Sequence, residues 1–203
     1  MTTYQRALHV LIHDVRSPLG VAQGYLRMLR EDRLPTPEAR TRAIAQTQEA
    51  LDRVARLCDD AARLADDGAD DPPRRTLIPS ERLIGKVRAR FEPDAVAVAD
   101  ADGRLARRIA VPVDTDRLAD AIALVLRAGA EPARPVAVGT TDDEVWFTNG
   151  PAAAPLAGVE FDCWRGPGFS LPLACRAITG IGGRIWATDG RGAGVAFPFE
   201  VGQ

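Results

Sequence analysis

Histidine is almost missing from this chain: His9 and His13 are the two in 203 residues, and both sit near the start. Lysine is scarcer still, with Lys86 alone, so arginine carries nearly all the positive charge. That bias reflects base composition of the gene rather than function. Aromatic residues make up 5% of the chain, while alanine is abundant, a combination suited to close-packed helices. A net charge of -2 gives no electrostatic reason to expect nucleic acid or an anionic membrane as partner. The three cysteines, Cys58, Cys163 and Cys175, form no CxxC or Cys/His metal spacing and are expected to be isolated thiols in or near a core. There is no basic-then-apolar leader pattern, and no apolar run approaches the roughly 18 residues of a membrane span. A soluble, cytoplasmic protein is the expectation, of one large domain or two small ones. A hydrophobic share of 46% beside 27% charged residues is ordinary for such a protein.

What is present falls into two segments of different pattern. Residues 1–66 carry the spacings of two long helices. In the first, Leu8, Val15, Ala22 and Leu29 recur every seven residues, with Ile12, Leu19 and Leu26 between them. In the second, Ile44, Leu51, Cys58 and Ala65 form one row and Thr47, Val54 and Ala61 the other. These rows predict the a/d seam of a bundle. The Arg33–Pro37 stretch separates the helices, with Thr36 as N-cap, Pro37 at the first helical position and Glu38 beside the helix dipole. An isolated hairpin of this length has nowhere to bury two apolar stripes. Pairing two hairpins into a four-helix bundle would solve that, which predicts a homodimer through residues 1–66. The alternative is packing of the hairpin onto the rest of its own chain.

Residues 67–73, acidic and broken by proline and glycine, read as a linker. In residues 74–203 helical patterns over Ser80–Phe91, Asp116–Ala130 and Phe169–Thr179 alternate with short strand-like runs. The strands expected are Ile109–Val113, Val136–Val138, Val145–Thr148, Arg184–Thr188 and Val195–Phe199. That order predicts an α/β sandwich, one sheet with helices on a face.

The most informative stretch is His13-Asp14-Val15-Arg16-Ser17-Pro18-Leu19. A proline within a helix destabilises it by about 3 kcal/mol and bends it, so this stretch serves something besides packing. Positions 9, 13, 16, 20 and 24 share a helical stripe beside the apolar seam, which points His13 outward. Gly20 and Gly24 each weaken the helix by about 1 kcal/mol relative to alanine. Their lack of bulk leaves a shallow face on which another protein can approach His13. Imidazoles ordinarily titrate near pH 6.5, and the neutral ring is a good nitrogen nucleophile. Asp14 is placed to accept a hydrogen bond and orient the ring, and Arg16 to neutralise phosphoryl oxygens. His9, one turn earlier, lacks an adjacent acid.

The His13–Leu19 motif resembles the H-box of sensor histidine kinases, in which the histidine is phosphorylated and the proline kinks the helix. With the hairpin and linker, residues 1–66 resemble that family's dimerisation and histidine phosphotransfer domain. The likeness continues through residues 74–203. Asp116-Arg117-Leu118 resembles the start of the N-box helix, Gly166–Ala174 the second glycine-rich box, and Gly182–Ala187 the closing turn and strand. It implies a Bergerat-type ATP domain, and therefore an α plus α/β chain in which a dimeric four-helix bundle precedes a degenerate kinase-type sandwich.

Against that family pattern the residues for ATP chemistry are gone. Ala128 stands where the N-box asparagine binds magnesium, and Leu124 one turn earlier where a second asparagine is usual. Alanine offers no hard oxygen ligand. Thr148 replaces the aspartate that accepts from adenine, Ala152 a glycine of the first box and Ser170 a glycine of the second. The stretch Ala153–Arg165 is short for a nucleotide lid. The resemblance therefore implies a histidine phosphotransferase that binds no ATP or metal. It would exchange phosphoryl groups with response-regulator receiver domains, whose own Mg²⁺ serves the reaction. The alternatives are an ATP-dependent histidine kinase with divergent boxes and a pseudokinase scaffold that carries no phosphate.

Overall fold

The computed structural model describes residues 3–65, 74–99, 103–129, 135–150, 159–188 and 192–200. The linker expected at 67–73 lies outside them. The chain divides into two compact units, residues 1–67 together with 166–170, and residues 68–165 together with 171–203.

The first unit is built on two helices, α1 (Thr3–Arg30) and α2 (Pro37–Ala65). Helix α1 ends in a Schellman motif. Asp32 adopts φ 53°, its N–H donates to the Leu29 carbonyl, and the Arg33 N–H donates to the Met28 carbonyl at 3.0 Å. An aspartate in the left-handed conformation is tolerated better than most side chains. Arg40 also holds its carboxylate at 2.6 Å. Helix α2 opens as the sequence predicts: the Ala39 N–H donates to Thr36 Oγ1 at 3.2 Å.

The two helices meet through small side chains. Ala7 and Ala22 on α1 and Ala43, Thr47, Ala50 and Ala61 on α2 are buried, joined by Leu64. Of the large members of the expected seam, Val15, Leu29 and Val54 are half-buried and six others stay exposed. Leu8, Ile12, Leu19 and Leu26 are 36–52% exposed, and Ile44 and Leu51 remain exposed on α2. Alanines thus close most of the hairpin contact, and Leu8, Ile12, Leu19, Leu26, Ile44 and Leu51 form an outer apolar face.

In the second unit, β1 (Arg75–Pro79) pairs antiparallel with β3 (Arg108–Pro112). The main sheet has six strands in the order β2 (Val96–Val98), β4 (Val136–Thr140), β5 (Glu144–Thr148), β8 (Gly192–Pro198), β7 (Arg184–Thr188) and β6 (Val159–Glu160). The β2–β4 pair is parallel and the other neighbours are antiparallel. Three helices, α3 (Ser80–Arg88), α4 (Thr115–Gly129) and α5 (Ser170–Thr179), complete the unit. Leu118, Ile122, Val125 and Leu126 of α4 join Phe147 of β5 and Val195 and Phe197 of β8 in one core. Two glycines make room for aromatic rings across the ladder: a Cβ at Gly139 would collide with Trp146, and one at Gly194 with Trp186.

Several boundaries differ from expectation for local reasons. Helix α3 stops at Arg88 because the next N–H groups turn back three residues, Arg90 to Val87 and Phe91 to Arg88. Strand β8 starts at Gly192 rather than Val195, since the run Gly192-Ala193-Gly194 has little strand propensity of its own and is recruited by pairing on both sides. The short β2 and β6 and the whole of β1 had no sequence signal strong enough to be expected. The cysteine expectation is corrected: Cys163 and Cys175 form a disulfide, and Cys58 alone is free. Their 12-residue separation brings the segment before α5 back onto that helix, with a Cα–Cα distance of 6.1 Å, well within the range a disulfide spans.

Candidate active site

His13 lies near the middle of α1, and its side chain is 78% exposed. Its Nδ1 is 2.8 Å from Asp14 Oδ1. Asp14 is mostly shielded, 15% exposed, and the hydrogen bond from His13 holds its carboxyl below the ordinary aspartate range against the opposing effect of desolvation. An ionised carboxylate can only accept, so in the neutral ring the proton resides on Nδ1 and the lone pair on Nε2. The exposed imidazole thus presents a nucleophilic nitrogen. The second oxygen of Asp14 accepts from the backbone N–H of Gly168 at 2.6 Å; Gly168 belongs to the 166–170 segment of the same compact unit. A partner 154 residues away leaves no trace in local sequence, and it was not expected.

Helix α1 continues through Pro18, which is buried. Because proline has no N–H, the Asp14 carbonyl loses its usual helical donor. His9, His13, Arg16, Gly20 and Gly24 are all exposed, as one stripe of α1. A Cβ built on Gly20 or Gly24 meets nothing within 4 Å, so these glycines border open space. The face beside His13 is consequently low in relief.

Of the expected nucleotide positions, Leu124, Ala128 and Thr148 are engaged within the second unit. Leu124 and Ala128 on α4 are half-buried and pack against the core. Thr148 closes β5 with its hydroxyl donating to the Ala193 carbonyl at 3.2 Å and accepting from the Gly150 N–H at 3.0 Å. Next to it Asn149 is buried; its Nδ2 donates to the Leu126 carbonyl and its Oδ1 accepts from the Ala193 N–H. Thr188 Oγ1, against Gly150 and Gly192, is a buried hydroxyl without a hydrogen-bond partner among the described residues. Ser170 is exposed at the first position of α5. Ala152 and residues 153–158 of the expected lid stretch lie outside the described residues. Among the described residues no three His, Cys, Asp or Glu side chains are grouped to hold a metal, and no helix is long and apolar enough to cross a membrane.

Residues 4–69 match the family "His Kinase A (phospho-acceptor) domain". That match spans about a third of the chain, the segment that holds the helical hairpin and His13. The fold is similar to that of the histidine kinase AdeS of Acinetobacter baumannii, with a TM-score of 0.53 and 12% identity over 94% of this chain and 98% of that one. A full-length ShkA structure in complex with AMPPNP gives a TM-score of 0.48 and 24% identity over 98% of this chain and 46% of that one. No curated protein matches the chain. The residues after this match form a mixed α/β sheet with helices, and the likeness to AdeS there is one of fold.

Proposed function

We propose that this histidine kinase-like signalling protein is a phosphotransferase that relays phosphoryl groups through His13 without using ATP. The observation that carries the proposal is the exposed His13 ring whose Nδ1–H is taken by Asp14, leaving Nε2 free. A receiver domain bearing an aspartyl phosphate docks on the stripe that includes Gly20 and Gly24. The Nε2 lone pair attacks phosphorus, the P–N bond forms, and the P–O bond to the regulator's carboxylate breaks, returning that carboxylate as the leaving group. The Nδ1 proton stays hydrogen-bonded to Asp14, whose negative charge offsets the positive charge developing on the ring. Arg16 faces the phosphoryl oxygens. Transfer to a second regulator reverses these steps, and Mg²⁺ belongs to the regulator's site. Two hairpins pair through Leu8, Ile12, Leu19 and Leu26 with Ile44 and Leu51, giving the homodimer.

Support for the absence of an ATP step comes from Ala128, which offers no metal ligand, and from Thr148 and Asn149, whose side chains bond to backbone groups of Leu126, Gly150 and Ala193. Incubating the protein with phosphorylated receiver domains should place acid-labile label on His13, whereas labelled ATP with Mg²⁺ should place none. Labelling from ATP alone, lost in His13→Gln, would establish the second reading, an ATP-dependent kinase. The buried, unpartnered hydroxyl of Thr188 beside Gly150 is the observation that favours that reading.

A further inference from the structure

We propose that His9 and His13 together form a weak, exchangeable site for a divalent transition-metal ion of the zinc, nickel or copper class. The chain's two histidines stand four residues apart on α1, both exposed. Positions i and i+4 of a helix lie one above the other with Cβ atoms about 5–6 Å apart, the spacing by which helical histidine pairs hold zinc. The second observation is Asp14. Ligating histidines almost always donate their other ring N–H to a carboxylate, which fixes the ring and raises the basicity of the ligating nitrogen. Asp14 Oδ1, 2.8 Å from His13 Nδ1, already makes that arrangement and directs the Nε2 lone pair outward.

Two imidazole nitrogens leave the remaining positions of a four-coordinate ion to water, so the ion exchanges rather than supporting the fold. Imidazole selects zinc, nickel and copper over magnesium and calcium. Arg6 and Arg16, three residues before His9 and three after His13, place positive charge at both ends and limit the affinity further. A metal on Nε2 occupies the electron pair that would attack phosphorus. Metal binding and phosphorylation of His13 are therefore mutually exclusive. That consequence rests on the phosphoacceptor proposal above, while the binding itself does not.

The test is a zinc titration of the intact chain, followed through the imidazole NMR signals and by competition with a chromophoric chelator, with Mg²⁺ as control. One zinc per chain is expected, shifting both histidines, with at least about tenfold weaker binding in His9→Ala and no response to Mg²⁺. Zinc should also protect His13 from labelling by a phosphorylated receiver in the wild type and protect it far less in His9→Ala. Equal binding by wild type and His9→Ala, or no imidazole shift in either, overturns the proposal. Zinc binding at both histidines with no labelling of His13 under any condition would uphold the metal site and sink the phosphoacceptor reading instead.

Discussion

The two units treat their polar groups in opposite ways. In the first, the His13 imidazole is turned to solvent and only its Nδ1 is satisfied, by Asp14. In the second, the polar side chains that close β5 are turned inward: Asn149 bonds both ways to backbone, and the Thr148 hydroxyl is held by Ala193 and Gly150. An exposed, half-satisfied imidazole leaves one ring nitrogen open to groups outside the chain. A buried, fully bonded amide holds a sheet to a helix. The difference teaches where each unit spends its polar groups: the hairpin leaves an imidazole open to solvent, whereas Thr148 and Asn149 tie the strands and α4 of the second unit together.

The largest effect that can break this contrast is at His13. Replacement by glutamine should reduce phosphoryl labelling from receivers to background while changing stability by less than about 0.5 kcal/mol, as quantitative labelling and denaturant melts would reveal. Retained labelling would place the acceptor elsewhere. Next comes the outer apolar face. Ile12→Asp combined with Leu26→Asp should convert the proposed dimer to a monomer, since each such side chain contributes about 1.5–3 kcal/mol when covered; the mass in solution measures this. A mass unchanged from wild type would show that the face serves another purpose.

The disulfide sharpens the contrast from the other side. Closing a loop of this size stabilises by about 3 kcal/mol, so Cys163→Ser should lower the unfolding free energy of the second unit by that amount and leave the hairpin's unchanged. Urea titrations with and without reductant read both transitions. A smaller effect is expected at Asp14. Asparagine keeps an acceptor but removes the charge, weakening a charge-assisted bond by about 1 kcal/mol and slowing transfer by roughly five- to tenfold; single-turnover rates would show it. The smallest is a pH effect. The Asp14 carboxyl titrates below its ordinary value because of the His13 hydrogen bond. Its stabilisation is thus fully present above the ordinary aspartate range and is lost only as pH falls through the lowered value. Histidine NMR between neutral and acid pH, compared with Asp14→Asn, would detect that loss.

Much of the first unit was legible because its determinants are local. Thr36 caps α2 through a residue three positions away, and the stripe from His9 to Gly24 follows from helical periodicity. The Schellman turn at Asp32 was not legible, since an aspartate there is less telling than a glycine. In the second unit the core strands were visible where valine, isoleucine and phenylalanine cluster. They were hidden where glycine serves a tryptophan across the ladder, as Gly194 does for Trp186. The pairing of Cys163 with Cys175 was also hidden, because an odd count without a spacing motif says nothing of which thiols the fold brings together.

By itself the sequence determined the helical hairpin and the outward direction of His13, both consequences of residue type and periodicity. Tertiary structure alone decided which apolar residues close the hairpin and which remain outside, because helices approach closely through alanine and leave bulkier side chains to another surface. It decided the contact of Gly168 with Asp14 and the inward bonding of Thr148 and Asn149 as well. Those depend on where distant backbone groups arrive, which no local pattern encodes.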